Sequence, residues 1–191
     1  MTEFNYDSYC GIYCGACDIH LAYKTGHKDN FASFWTEPLL AAFQKAQGNP
    51  GLSSEALRVR CHGCKSDTLF INCTTCKIRS CAIDRKIDHC IVCKDYPCTL
   101  HVGMRKMTRL LPHVKNNHSN LEAIQRAGVE QWLGEQEKRW KCQDCQTSFA
   151  WYSTACRTCG KKLTGLSYKF SSLKAFLLKL GIRLASLKKS Q

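Results

Sequence analysis

Cys142-Gln-Asp-Cys145, followed ten residues on by Cys156-Arg-Thr-Cys159, spaces four thiols as C-x2-C-x10-C-x2-C. Two residues between cysteines let one tight turn aim both sulfurs at a single point. Two such knuckles facing each other predict a closed four-thiolate site of the structural zinc type, a β zinc ribbon over residues 140–163. Closed sites hold folds together, whereas catalytic zinc keeps a coordination position open.

Outward from that ribbon, the 191-residue chain carries 15 cysteines, an odd number that argues against complete disulfide pairing. The opening Met-Thr-Glu-Phe-Asn-Tyr-Asp has neither the basic nor the apolar region of a secretory signal. No apolar run reaches the length of a membrane span. A cytoplasmic location is expected, where paired cysteines are read as metal ligands. Residues 1–98 supply Cys10, Cys14, Cys17, Cys61, Cys64, Cys76, Cys81, Cys90, Cys93 and Cys98 as candidate ligands. Cys73 is read instead as a buried apolar filler. Two zinc ions fit this set, about three with the ribbon's. A further site would need a histidine, and His62, His89 and His101 lie near ligand pairs. Which pairs share an ion stays open.

The run Cys10-x3-Cys14-x2-Cys17 also has the spacing with which radical S-adenosylmethionine enzymes hold an iron–sulfur cluster. The strand–helix alternation of their barrel is missing. One [4Fe–4S] cluster held by Cys10, Cys14, Cys17 and a fourth cysteine, in an iron–sulfur redox protein, is the alternative to zinc.

The sequence divides into a cysteine-rich metal-binding domain (1–98), a helical connector packed on it (99–139), the ribbon (140–163) and a basic amphipathic tail helix (164–191). Helices are expected over Asp18–Thr25 and over Glu37–Ala46, the latter capped by Thr36 with Pro38 in its first turn. The loop Gln47–Gly51 should end it. Ser119 with Glu122 reads as a capping box opening a further helix that Gly128 ends, and Val129–Trp140 as another. The fold class is thus mainly α, a small metal-stabilised domain with an appended β ribbon and a tail helix.

The formal net charge is +13. Three four-thiolate zinc sites would bring it to about +7, since each carries about two negative charges. Residues 160–191 hold eight basic side chains and no acidic one. Near the ribbon, Arg139, Lys141, Arg157, Lys161 and Lys162 accompany Phe149, Trp151 and Tyr152. Cations could follow phosphates while aromatics stack on bases, so nucleic acid, or a protein, is the expected macromolecular partner through ribbon and tail. Phe149 is assigned to the ribbon's own core. In the tail, Leu173, Phe176, Leu177, Leu180, Leu184 and Leu187 recur at helical spacing. That stripe is expected to dock on the protein's own helices or on a partner rather than on a membrane surface.

No P-loop, Rossmann fingerprint, HExxH or Gly-x-Ser-x-Gly is present, so no catalytic residue and no small-molecule substrate is identified. The sequence favours a non-enzyme.

Tyr9-Cys-Gly-Ile-Tyr-Cys-Gly-Ala-Cys17, Cys61-His-Gly-Cys64, Cys76-Lys-Ile-Arg-Ser-Cys81 and Cys90-Ile-Val-Cys93-Lys-Asp-Tyr-Pro-Cys98 together resemble the DUF3795 family of small cysteine-rich bacterial and archaeal proteins. Asn120–Trp140 followed by Cys142-x2-Cys145 resembles members with an appended zinc ribbon. Cys73 lies outside that pattern. The resemblance implies metal binding and a cytoplasmic location, and it implies no reaction.

Overall fold

Cys17 fixes the first helix. Its extended backbone (ψ 127°) ends a 3-10 turn over Cys14–Ala16 and opens α1, Asp18–Thr25, which Gly26 closes in the left-handed conformation (φ 71°). The computed structural model describes residues 3–48 and 57–188. Ile19 and Ala22 turn the apolar face of α1 inward. A short α2 (Asn30–Phe34) stacks Phe31 against Phe34, with ring centroids 6.1 Å apart. Next comes α3 (Glu37–Ala46), as expected, burying Leu39 and Leu40. The side chain of Thr36 makes no capping hydrogen bond; its carbonyl instead accepts the N–H groups of Leu39 and Leu40. Of the expected terminating loop, Gln47 and Gly48 are described and residues 49–51 lie outside the described residues.

The middle of the chain adds α4 (Ile71–Thr74), α5 (Lys77–Asp84) and α6 (Thr99–Lys106). After two 3-10 turns the helical pair α7 (Asn117–Ala127) and α8 (Val129–Arg139) is split by Gly128, whose φ of 84° no helix continues. The expected capping box is not formed. Helix α7 starts two residues before Ser119, whose hydroxyl donates to the Asn116 carbonyl at 3.0 Å, while Glu122 pairs with His118. A 3-10 turn over Pro112–Asn116 runs straight into α7, so the helix needs no side-chain cap.

No β-strand occurs among the described residues, which corrects the expected β ribbon. Residues 141–162 hold two isolated antiparallel bridges, Lys141 with Ser148 and Ala155 with Lys162. Each bridge is flanked by hydrogen bonds in its own register, Phe149 N–H to Trp140 and Cys142 N–H to Thr147 for the first, Cys156 N–H to Lys161 and Leu163 N–H to Thr154 for the second. Beyond them the backbone turns to other partners, Trp151 N–H to Ala16 beside α1 and Tyr168 N–H to Trp151.

The main core runs from Tyr13, Ile19, Phe34 and Trp35 through Trp132 to Trp140, Tyr152 and Leu163. A second, smaller cluster buries Cys10, Ile78, Ala82, Cys90 and Leu121. Two of its five buried residues are cysteines, and partly buried Ile12, Ile87, Ile91, Tyr96, Leu100 and Met104 pack around them. The last helix, α9 (Ser172–Lys188), lies on α3. It docks through Ile182 and Ser186, both buried, with Ala175 and Leu178 beside them. The six-residue stripe expected to dock faces outward.

Candidate metal centre

The four sulfurs of Cys142, Cys145, Cys156 and Cys159 converge, all within 4.8 Å of one another. Cys142 and Cys159 sulfurs are 3.6 Å apart, and those of Cys145 and Cys156 are 3.4 Å apart. A tetrahedral zinc–thiolate site, with bonds of about 2.3 Å, needs sulfurs about 3.8 Å apart. The donor set therefore fits a metal ion. Each knuckle is a tight turn: Gln146 N–H donates to the Cys142 carbonyl, and Gly160 N–H to that of Cys156, both at 2.9 Å. Gln146 and Gly160 take positive φ (58° and 73°), which reverses the chain behind the sulfurs.

Electrostatics divide the four thiols. Hydrogen bonding with the side chain and backbone of Thr147 pulls Cys145 down to about 6. Cys159 gains a lowering hydrogen bond from the Lys161 backbone, yet its sulfur neighbours and burial hold it up at about 12. An ion joining all four must displace protons.

Nine of the ten candidate ligands of the first region lie at helix ends and in the turns between helices, and Cys81 lies within α5. Among the described residues, no three of them come as close together as the ribbon set. They nevertheless fall into neighbourhoods. Cys14 sits near Cys64, Cys17 and Cys61, and burial with those neighbours pushes its thiol well up. Cys73, read from the sequence as a filler, is half-buried and lies among Cys61, Cys17 and Cys64, surrounded by other thiols. Cys10 adjoins Cys76, and Cys64 adjoins both. Cys81, Cys90, Cys93 and Cys98 line one small cavity of about 20 Å³ together with His101. The Arg85 guanidinium donates to Cys93 Sγ at 3.2 Å and to Asp95. His101 is 2 % exposed, and its Nε2 has no hydrogen-bond partner among the described residues.

The other two histidines differ. His89 Nε2 is 2.9 Å from the carboxylate of Asp7. Burial alone would raise the Asp7 carboxyl, but hydrogen bonds from His89, Lys65 and Asn5 outweigh it and hold it well below the carboxylate range. This network ties the first residues to the knuckle loop and to the Cys90 segment. Asp7 and His89 are 82 positions apart, and no local pattern announces their pairing. His62 is buried between the rings of Phe4 and Tyr23, and its Nδ1 has no hydrogen-bond partner among the described residues.

The ribbon's aromatic residues are structural. Phe149, Trp151 and Tyr152 are 4 %, 6 % and 1 % exposed, so none offers a face for a base to stack on. Trp151 stacks on His113 at 4.1 Å, and Tyr152 packs on Phe31. Lys161 pairs with Asp144 across the knuckles. Among the described residues, no helix is long and apolar enough to cross a membrane.

No curated protein and no solved structure matches the chain. A family model described as "Protein of unknown function (DUF3795)" matches residues 6–102, just over half of the sequence. That span holds every cysteine before the ribbon, in the order and spacing quoted above, and the chain belongs to the DUF3795 family.

Proposed function

We propose that this is a zinc-binding protein whose ions cross-link the fold, and that it serves as an interaction module. The convergence of the Cys142, Cys145, Cys156 and Cys159 sulfurs carries the reading. With all four positions taken by protein thiolates, the ion supplies a cross-link and leaves no coordination site for a substrate. In the first region, the cavity lined by Cys81, Cys90, Cys93 and Cys98 supports a second zinc there. Cys14, Cys17 and Cys61 with Cys64 or Cys73 support a third. The second core cluster is small, with five buried residues of which two are cysteines, so a cross-linking ion would add to its stability.

An iron–sulfur cluster on Cys10, Cys14, Cys17 and a fourth cysteine is the alternative. Cys14 and Cys17 share Cys61 as a neighbour, and Cys64 lies near both Cys14 and Cys10, while Cys10 also adjoins Cys76. Metal content decides between them. Protein purified without oxygen should be colourless and release about three zinc ions per chain. Cys156→Ser should lose one ion and Cys93→Ser another. A brown preparation absorbing near about 400 nm, with stoichiometric iron and sulfide, overturns zinc for the first region. Undiminished metal in Cys156→Ser overturns the ribbon site.

A further inference from the structure

Among the described residues, twelve large apolar side chains are exposed, and six of them stand on the outward face of α9. Leu173, Phe176, Leu177, Leu180, Leu184 and Leu187 are between 42 and 66 % exposed. At 3.6 residues per turn they share one arc of about 100°, running the length of a helix about 25 Å long. Isolated exposed leucines are ordinary, but six on one arc are a patch of the kind that marks a binding surface. The opposite arc, with Ala175, Leu178, Ile182 and Ser186, is already used on α3.

Charge identifies the occupant. Lys174 and Lys188 fall on one border of the stripe, and Lys179 and Arg183 on the other. Lys179 reaches back over the Phe34 ring, 5.3 Å from its centroid, at the junction with the body. No acidic side chain occurs from residue 160 onward. A nucleic acid would need the cations central on the face, where six large apolar groups stand. Cations along both borders of a convex apolar ridge match a flat anionic surface: the ridge enters the acyl boundary while the amines and guanidinium stay at the headgroups.

We propose that the outward face of α9 is a docking surface for anionic lipid membranes. The helix is held in shape by α3 before it meets the bilayer, so binding carries little ordering cost. The proposal is independent of the metal reading, since α9 contains none of the candidate ligands.

The test uses the full-length metal-loaded protein with sedimented vesicles of phosphatidylcholine alone or mixed with phosphatidylserine. Binding to the mixed vesicles is expected at low salt, with weakening at high salt and little binding to phosphatidylcholine alone. Leu177→Asp with Leu184→Asp should lower the partition at least about tenfold. Lys174→Glu with Lys188→Glu should lower it for the anionic vesicles several-fold. Neither pair should move the melting temperature, because both sites point away from α3. Absence of binding to anionic vesicles at low salt overturns the proposal, as does binding that survives the leucine substitutions. Salt-sensitive capture of single-stranded RNA through the same lysines, with vesicles ignored, overturns it in favour of nucleic acid. Leucine-dependent self-association without vesicle binding overturns it in favour of a second copy of the chain.

Discussion

Gly63 has a φ of +116°, and a methyl group on its α-carbon would stand 2.0 Å from the carbonyl oxygen of Asn5. Asn5 N–H in turn donates to the His62 carbonyl, so the first residues lie directly on the Cys61–Cys64 turn. Gly63→Ala should therefore cost at least about 2 kcal/mol, from backbone strain and displacement of that strand of chain. Gly134, inside α8 with nothing within 4 Å of its missing side chain, should behave oppositely. Gly134→Ala should stabilise by about 0.5–1 kcal/mol. Denaturant melts of the two variants check the opposite signs. His20 offers a titration. It is fully buried among Phe4 and Tyr6, and neither ring nitrogen has a hydrogen-bond partner among the described residues. Burial, with Lys24 and His62 nearby, pulls it down to about 4 from the ordinary 6.5. The unfolded chain then takes up the proton first as pH falls. Stability is complete above about 6.5 and drains away toward pH 4. His20→Phe should reduce the stability lost between about pH 7 and pH 5 by about 1–2 kcal/mol, measured as the difference between variant and parent melts.

Helix α9 shows what a pattern of side chains alone discloses about an element. Six large apolar residues at helical spacing announced the helix, and its place on α3 agrees with docking on the body. The side that docks is the other one. Close approach of two helices favours small and branched groups, here Ala175, Ile182 and Ser186, and these are overshadowed in the sequence by the leucines. Ile182→Asp should lower stability by at least about 3 kcal/mol, because it places a carboxylate in the α3–α9 contact. Leu184→Asp should change it by less than about 0.5 kcal/mol. A reversal of that order in thermal or chemical melts would mean that α9 sits the other way round. Spans such as α1 and α3 were legible because their turns and apolar faces are local in sequence. The start of α7 was not, since the entering 3-10 turn replaces the cap that a reader looks for.

At the scale of the molecule, the ribbon's C-x2-C pairs disclosed their own partnership because ten residues separate them. The grouping of the earlier cysteines was not disclosed, since Cys14 and Cys61 meet only through the path of the intervening chain. Nor was the place of Cys73 among them, which no spacing rule requires. The expected strands reduce to two isolated bridges, because each pairing is only a few rungs long before the chain turns, at Trp151, to share its backbone and side chains with the helical body. That sharing predicts how the protein fails. Trp151, Tyr152 and Leu163 belong to the same core as Ile19 and Phe34. Loss of the ribbon ion in Cys156→Ser should therefore lower one cooperative transition for the whole chain, rather than melt residues 140–163 alone. Coincident loss of near-ultraviolet and far-ultraviolet circular dichroism would register it; two separated transitions would contradict it.

Phe31 and Phe34 receive the edges of Phe170, and Tyr152 packs against Phe31 as well. These covering rings come more than a hundred residues later than the rings they cover. On the ribosome, where chains emerge at about 5–20 residues per second, the early aromatic surface must wait several seconds, uncovered, for its lid to be made. The aromatic surface of Phe31 and Phe34, inside the family-matched segment, thus depends on residues made later, and the interval before they emerge is a window for chaperones or for aggregation.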